Sequence, residues 1–141
     1  MGAHDTYGKQ VLRQAAGAAF QDSGPSVKVK YGSRGGATID GVVANSIAVE
    51  IESRAPKQVR GAVLDLICHP YSKKLLVLLP VHMSNPQLCA EQCKSILARF
   101  FSSSDYRVVV LNGSGNDPHL ETDVKTIRSA LANLGHCNVA V

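Results

Sequence analysis

The sequence predicts an α/β domain: a mixed central sheet that carries an acidic β-hairpin, with helices on both faces. Residues 38–52 supply the hairpin, two β-branched, apolar arms around Ala44-Asn45-Ser46, the only plausible turn between them. Further on, the apolar runs from Lys74 to Leu79 and from Tyr106 to Leu111 alternate with stretches of helical periodicity, as parallel strands joined by helices do. Helix starts are marked by Pro56, Asn85-Pro86 and Asp117-Pro118.

In order, the first helix is expected from about Thr6 to Gln21, with Val11, Leu12, Ala15, Ala16, Ala19 and Phe20 as its apolar positions. Val27 to Tyr31 alternates strictly and reads as a strand whose wet face bears Lys28 and Lys30. Gly32 to Gly36 is a connection from which Arg34 could reach a phosphate. After the hairpin, a second helix opens at Pro56 and buries Val59, Val63, Leu66 and Ile67. Lys74 to Leu79 suits a strand buried on both faces. A third helix runs from Asn85-Pro86 through Leu88, Cys93, Ile96, Leu97 and Phe100 to the serine cluster Ser102-Ser103-Ser104. Tyr106 to Leu111 is the next strand, Asn112 to Asn116 a loop, and the last helix carries Val124, Ile127, Leu131 and Leu134 and stops at Gly135. Cys137 to Val141 is a candidate final strand.

The chain has 141 residues, enough for one domain with a real core, so 1–141 is expected to fold as a single unit. Hydrophobic residues make up 45% and charged ones 18%, which excludes a disordered polyelectrolyte. A net charge of +4 permits a polyanionic partner without being a dedicated basic arm. Cys68, Cys89, Cys93 and Cys137 match neither a zinc ribbon nor a redox pair. Cys89 and Cys93, one turn apart beside Ile96, Leu97 and Phe100, read as core residues. With no signal-peptide pattern and no apolar run long enough to span a bilayer, a soluble cytoplasmic protein without a membrane partner is expected. Met1 to Thr6 fits a myristoylation pattern in letters only, with no basic patch beside it. The histidines, His69 and His119 included, have no ligand-like spacing and read as loop or capping-region residues.

The hairpin carries the chemistry. A turn centred on Asn45 puts Asp40 opposite Glu50, and period-2 alternation sends Glu52 to the same face. Ile47, Val49 and Ile51 take the other face. Directly opposed β-carbons lie about 4.5–5.5 Å apart, where like charges destabilise unless something compensates. A divalent cation does so, and hard carboxylate oxygens on adjacent strands suit Mg²⁺, with Mn²⁺ able to replace it. Val42 and Ala48 on the acidic face point to a half-buried site. The second helix begins only a few residues beyond, so Lys57, Gln58 and Arg60 at its start would offer a seat for phosphate. Phosphodiester hydrolysis is the chemistry implied.

Asp40, then Glu50-Ile51-Glu52, then a helix opening Lys57-Gln58-Val59-Arg60, resembles the core of the PD-(D/E)xK nuclease superfamily, which includes type II restriction endonucleases and archaeal Holliday-junction resolvases. The resemblance covers about Tyr7 to Leu79. It implies a restriction-endonuclease-like fold and a Mg²⁺-dependent endonuclease acting on DNA. Asp40 and Glu50 would ligate the metal, the Ile51 carbonyl would join them, and Glu52 would stand where the family usually has lysine. Ile39 replaces the proline of the pattern, and the first helix offers only Gln10 and Gln14 where some members place a glutamate. With an acid at Glu52, catalysis needs another cation, and Lys57 is a candidate; Glu52 itself could serve a second metal or act as a general base. Cutting both strands would favour a homodimer.

Two other readings compete. A nuclease-like module that binds DNA or a partner without cutting would follow from the lost lysine. A nucleotide-binding α/β protein would follow if Val108 to Gly115 were a strand and a phosphate-cradling loop, although that loop has only Gly113 and Gly115.

Overall fold

A computed structural model describes residues 3–32, 36–54, 56–113 and 118–137. Helix α1 spans Ala3–Ala16 and stops earlier than its apolar pattern suggests, because Gly17 takes φ +58, a left-handed conformation that ends a helix. Phe20 therefore leaves the helix and joins a short strand, β1 (Phe20–Gln21). The predicted strand at 27–31 is reduced to β2 (Lys28–Val29), which pairs with β3 (Ala37–Thr38) as a two-stranded ribbon outside the main sheet.

The acidic hairpin forms with the expected register. Strands β4 (Gly41–Val43) and β5 (Ile47–Glu52) pair antiparallel, Gly41 opposite Val49 and Val43 opposite Ile47. Ala44 and Asn45 take φ of 54 and 52, and Ser46 N–H donates to Val43 O at 3.1 Å, closing a turn whose twist matches the strands. Helix α2 (Pro56–Cys68), strand β6 (Lys73–Leu78), helix α3 (Pro86–Leu97), strand β7 (Tyr106–Val110) and helix α4 (Leu120–Asn133) complete the fold. Strands β5, β6 and β7 are parallel, so the main sheet, ordered β1-β4-β5-β6-β7, is mixed.

Alternation along the strands divides the core into two layers. Ile47, Val49, Ile51, Leu75 and Val77 face α1 and α4. Val42, Ala48, Leu76, Leu78 and Val108 face α2 and α3, among Val59, Val63, Leu66, Cys89, Cys93 and Leu97. Both crossover helices between the parallel strands thus lie on one face, as right-handed connections stepping in one direction require. Phe100 does not join the core; α3 ends at Leu97 and the ring is 59% exposed. Asn85 caps α3 as expected, its side chain accepting from Leu88 N–H at 3.0 Å. Gly8 lets α1 approach the carboxylate strand: a Cβ there would lie 2.6 Å from Ile51 Cγ2. Among the described residues no helix is long and apolar enough to cross a membrane. The predicted final strand falls largely on residues 138–141, outside the described part.

Candidate active site

The register that pairs Gly41 with Val49 places Asp40 beside Glu50, as the turn at Asn45 predicts. Regular pairing stops at Gly41, and the two acids replace the missing ladder. Asp40 N–H donates to Glu50 Oε1 at 2.9 Å, and Ile51 N–H donates to Asp40 Oδ2 at 2.7 Å. Each strand end is held by the other strand's carboxyl. In a strand a residue's N–H and C=O point to the same neighbour, so the Ile51 carbonyl lies on the Asp40 side as well.

Glu50 is 7% exposed. Burial, then the charge of Asp40 and a hydrogen bond between the two carboxyl groups, pushes its pKa up to about 9. The pair therefore favours a single proton shared between its two carboxyl groups. Two hard carboxyl groups and an adjacent carbonyl are oxygen donors of the kind a Mg²⁺ ion uses, and a divalent charge offsets the repulsion that the proton now relieves.

Glu52 shares the Glu50 face by alternation, and its charge adds to the upward push on the Glu50 pKa. Its carboxylate accepts from Ser53 N–H and Arg54 N–H, each at 2.9 Å, and from the Arg54 guanidinium at 2.9 and 2.7 Å. Burial would raise its pKa, but the bonds and charge of Arg54, with the Ser53 amide, outweigh that and keep the carboxyl below its ordinary value. Among the described residues no three of His, Cys, Asp or Glu gather in one metal-sized cluster. Asp40 and Glu50 each bond to the other's strand, while Glu52, on the same face, is bonded to Ser53 and Arg54. The spacing of Arg54 from Glu52, two residues beyond the strand end, is the signal that could have pointed to it.

Lys57, Gln58 and Arg60 are exposed on the first turns of α2. Arg60 lines, with Pro56, Val59, Cys93 and Arg99, a cavity of about 390 Å³ between α2 and α3. Arg34 lies outside the described residues.

Other polar groups are structural. Asp123, fully buried, accepts from Tyr7 Oη–H at 2.6 Å and from the Asn112 and Gly113 amides at 2.8 Å each. The amide of Gly113, first glycine of the suspected phosphate loop, is therefore already engaged by a carboxyl; residues 114–117 are not among those described. His69 lies in the loop after α2, as expected, but is buried there: Tyr71 N–H donates to its Nδ1 at 3.1 Å, so Nε2 carries the proton to Ser26 O at 2.7 Å. Lys74, 1% exposed, donates to His69 O at 2.6 Å and lies 5.3 Å from the Phe101 ring centroid. Burial pulls its pKa down to about 8. Local sequence gave no signal for these partners; Tyr7 and Asp123 are 116 residues apart.

Fold and site together define a mixed α/β domain with a coupled carboxyl pair at the open end of its hairpin. No family model, curated protein or solved structure matches the chain.

Proposed function

We propose that this chain is a metal-dependent DNA endonuclease of restriction-endonuclease-like fold, hydrolysing phosphodiester bonds at the Asp40–Glu50 pair. The observation that carries the reading is the pair itself: two carboxyl groups pressed together across neighbouring strands, where burial and the charge of Asp40 raise the Glu50 pKa. Perturbed acids so arranged are a functional pattern more often than a structural one.

Asp40 and Glu50 would hold Mg²⁺, or Mn²⁺ in its place, with the Ile51 carbonyl as a further oxygen. When bound, the ion supplies charge stabilisation at the phosphoryl oxygens and lowers the pKa of the attacking water. Glu52 takes the place of the family's lysine, and Arg54, bonded to it through two nitrogens, returns positive charge to that place. This makes Arg54, bonded to Glu52 itself, a better source of the needed cation than Lys57, which is exposed on the first turn of α2. Lys57, Gln58 and Arg60 are left to receive phosphates at the start of α2.

The Glu52 clamp also favours a second reading. With four donors on its carboxylate, Glu52 is poorly placed to act as a general base, as a non-catalytic DNA- or partner-binding module would allow. A supercoiled plasmid incubated with the protein and Mg²⁺ or Mn²⁺ separates the two. The endonuclease yields nicked or linear DNA, and Asp40→Ala or Glu50→Ala abolishes the product while the fold survives. Plasmid left intact in both metals, with branched DNA equally untouched, overturns the endonuclease reading. Retained, metal-indifferent DNA binding would then identify the module.

A further inference from the structure

We infer that the β2–β3 ribbon is a phosphate-contacting arm for double-stranded DNA, with Lys28 and Lys30 as its contacts. The arm's role presupposes the DNA-binding reading above and adds where the duplex lies.

The ribbon has two unlike faces. Val27, Val29 and Ile39 are 2%, 1% and 2% exposed and belong to the core layer under α2 and α3. Lys28, Lys30 and Thr38 face solvent, with Lys28 directly opposite Thr38. Among the described residues no side-chain hydrogen bond or ion pair engages either ammonium group. The acid nearest before them in sequence, Asp22, is already bridged to Lys9 and Arg13. Unneutralised ammonium groups on a fixed surface are what a polyanion binds, and lysine serves as a point charge for phosphate without reading bases.

The surface is fixed. Ile39 N–H donates to Val27 O at 2.9 Å, and His69 ties Ser26 O from beyond α2. At Gly36 a Cβ would lie 2.5 Å from Val29 O, so only glycine permits the close strand approach there. Lys28, Lys30, Gly36 and Thr38 line a depression of about 360 Å³ between the basic side chains.

The ribbon also leads into the carboxyl pair. Asp40 follows Thr38, the partner of Lys28, by two residues, about 7 Å of extended chain, so the lysine-bearing ribbon and the pair are close neighbours along the chain. Two-stranded ribbons suit the surface of a duplex. Single-strand binding relies on several stacked aromatic rings, and Tyr31 is the only exposed aromatic side chain described on this ribbon.

Anisotropy titrations of a labelled 20-base-pair duplex, without divalent metal and over a range of salt, test the arm in the full chain. Wild-type protein is expected to bind duplex more tightly than the matching single strand. Lys28→Ala/Lys30→Ala should bind roughly tenfold more weakly and flatten the plot of log K against log salt by about 2 units, near 0.9 per lost phosphate contact. Lys28→Arg/Lys30→Arg should retain the wild-type slope. An unchanged melting temperature separates lost contacts from lost fold. A wild-type slope in the alanine variant overturns the arm and leaves DNA binding intact, as does tighter binding of single strands. Wild-type protein that binds no DNA fails the DNA-binding reading itself and takes the arm with it.

Discussion

Asp40 and Glu50 tie together the two strands that bring them into repulsion: Asp40 N–H donates to Glu50 Oε1 at 2.9 Å, while Asp40 Oδ2 accepts from the amide of Ile51, the residue after Glu50, at 2.7 Å. The hairpin end is built on carboxyl groups where backbone pairing would ordinarily continue. Its stability is consequently linked to their protonation.

Glu50 should make the fold less stable as pH rises. Its pKa is about 9 when folded and near 4.5 when unfolded, so between those values the unfolded chain releases a proton that the folded chain keeps. Stability from this group is full below pH 4.5 and falls through the window up to pH 9. Glu50→Gln cannot ionise and keeps a donor toward Asp40. Urea titrations should find it more stable than wild type by roughly 1–3 kcal/mol at pH 8, with the difference shrinking toward pH 4.5.

Arg54 should matter for the opposite reason. Glu52 has a lowered folded pKa, so its contribution is present above the unfolded value and disappears as pH falls through the folded one. Arg54→Ala leaves a 4%-exposed carboxylate with its two amide donors alone. The expected loss is about 1–3 kcal/mol at pH 7 and little at pH 3, and Arg54→Lys recovers only part because it cannot bond through two nitrogens in a fork. Denaturation curves at the two pH values check this. If the endonuclease reading holds, Arg54→Ala should also slow plasmid cutting without changing Mg²⁺ uptake.

Asp123 is the most costly single carboxyl to remove. Asp123→Ala strands the Tyr7 hydroxyl and the Asn112 and Gly113 amides, and should destabilise by roughly 3–5 kcal/mol. Tyr7→Phe removes one of the three bonds and should cost roughly 1–3 kcal/mol. Thermal melts of the two variants and of the double variant should show non-additivity, because both act on one network.

Ala44 pays a backbone penalty that glycine would avoid. At φ 54 its Cβ crowds the carbonyl, at a cost of roughly 1–2 kcal/mol. Ala44→Gly should therefore raise the melting temperature without altering the carboxyl pair, and an unchanged pH profile of stability would verify that the turn and the pair act separately.

The hairpin was legible in the sequence because its causes are local: β-branched arms, a turn at Asn45 and period-2 alternation suffice to set Asp40 against Glu50. The same holds for α2 and α3, whose prolines and Asn85 cap mark their starts. Phe20 and Phe100 were misassigned because helical spacing continues past the points where Gly17 and the end of α3 stop the helices. What only the tertiary structure decided is which polar groups meet. Asp123 was buried because the Tyr7 hydroxyl, 116 residues away, and the Asn112 and Gly113 amides could satisfy it, and Lys74 because the loop after α2 turns the His69 carbonyl onto it. Lys28 and Lys30 left the main sheet for a ribbon beside Asp40. Alternation fixes the face on which a side chain starts, but its partners depend on long-range packing and desolvation, which no local pattern encodes.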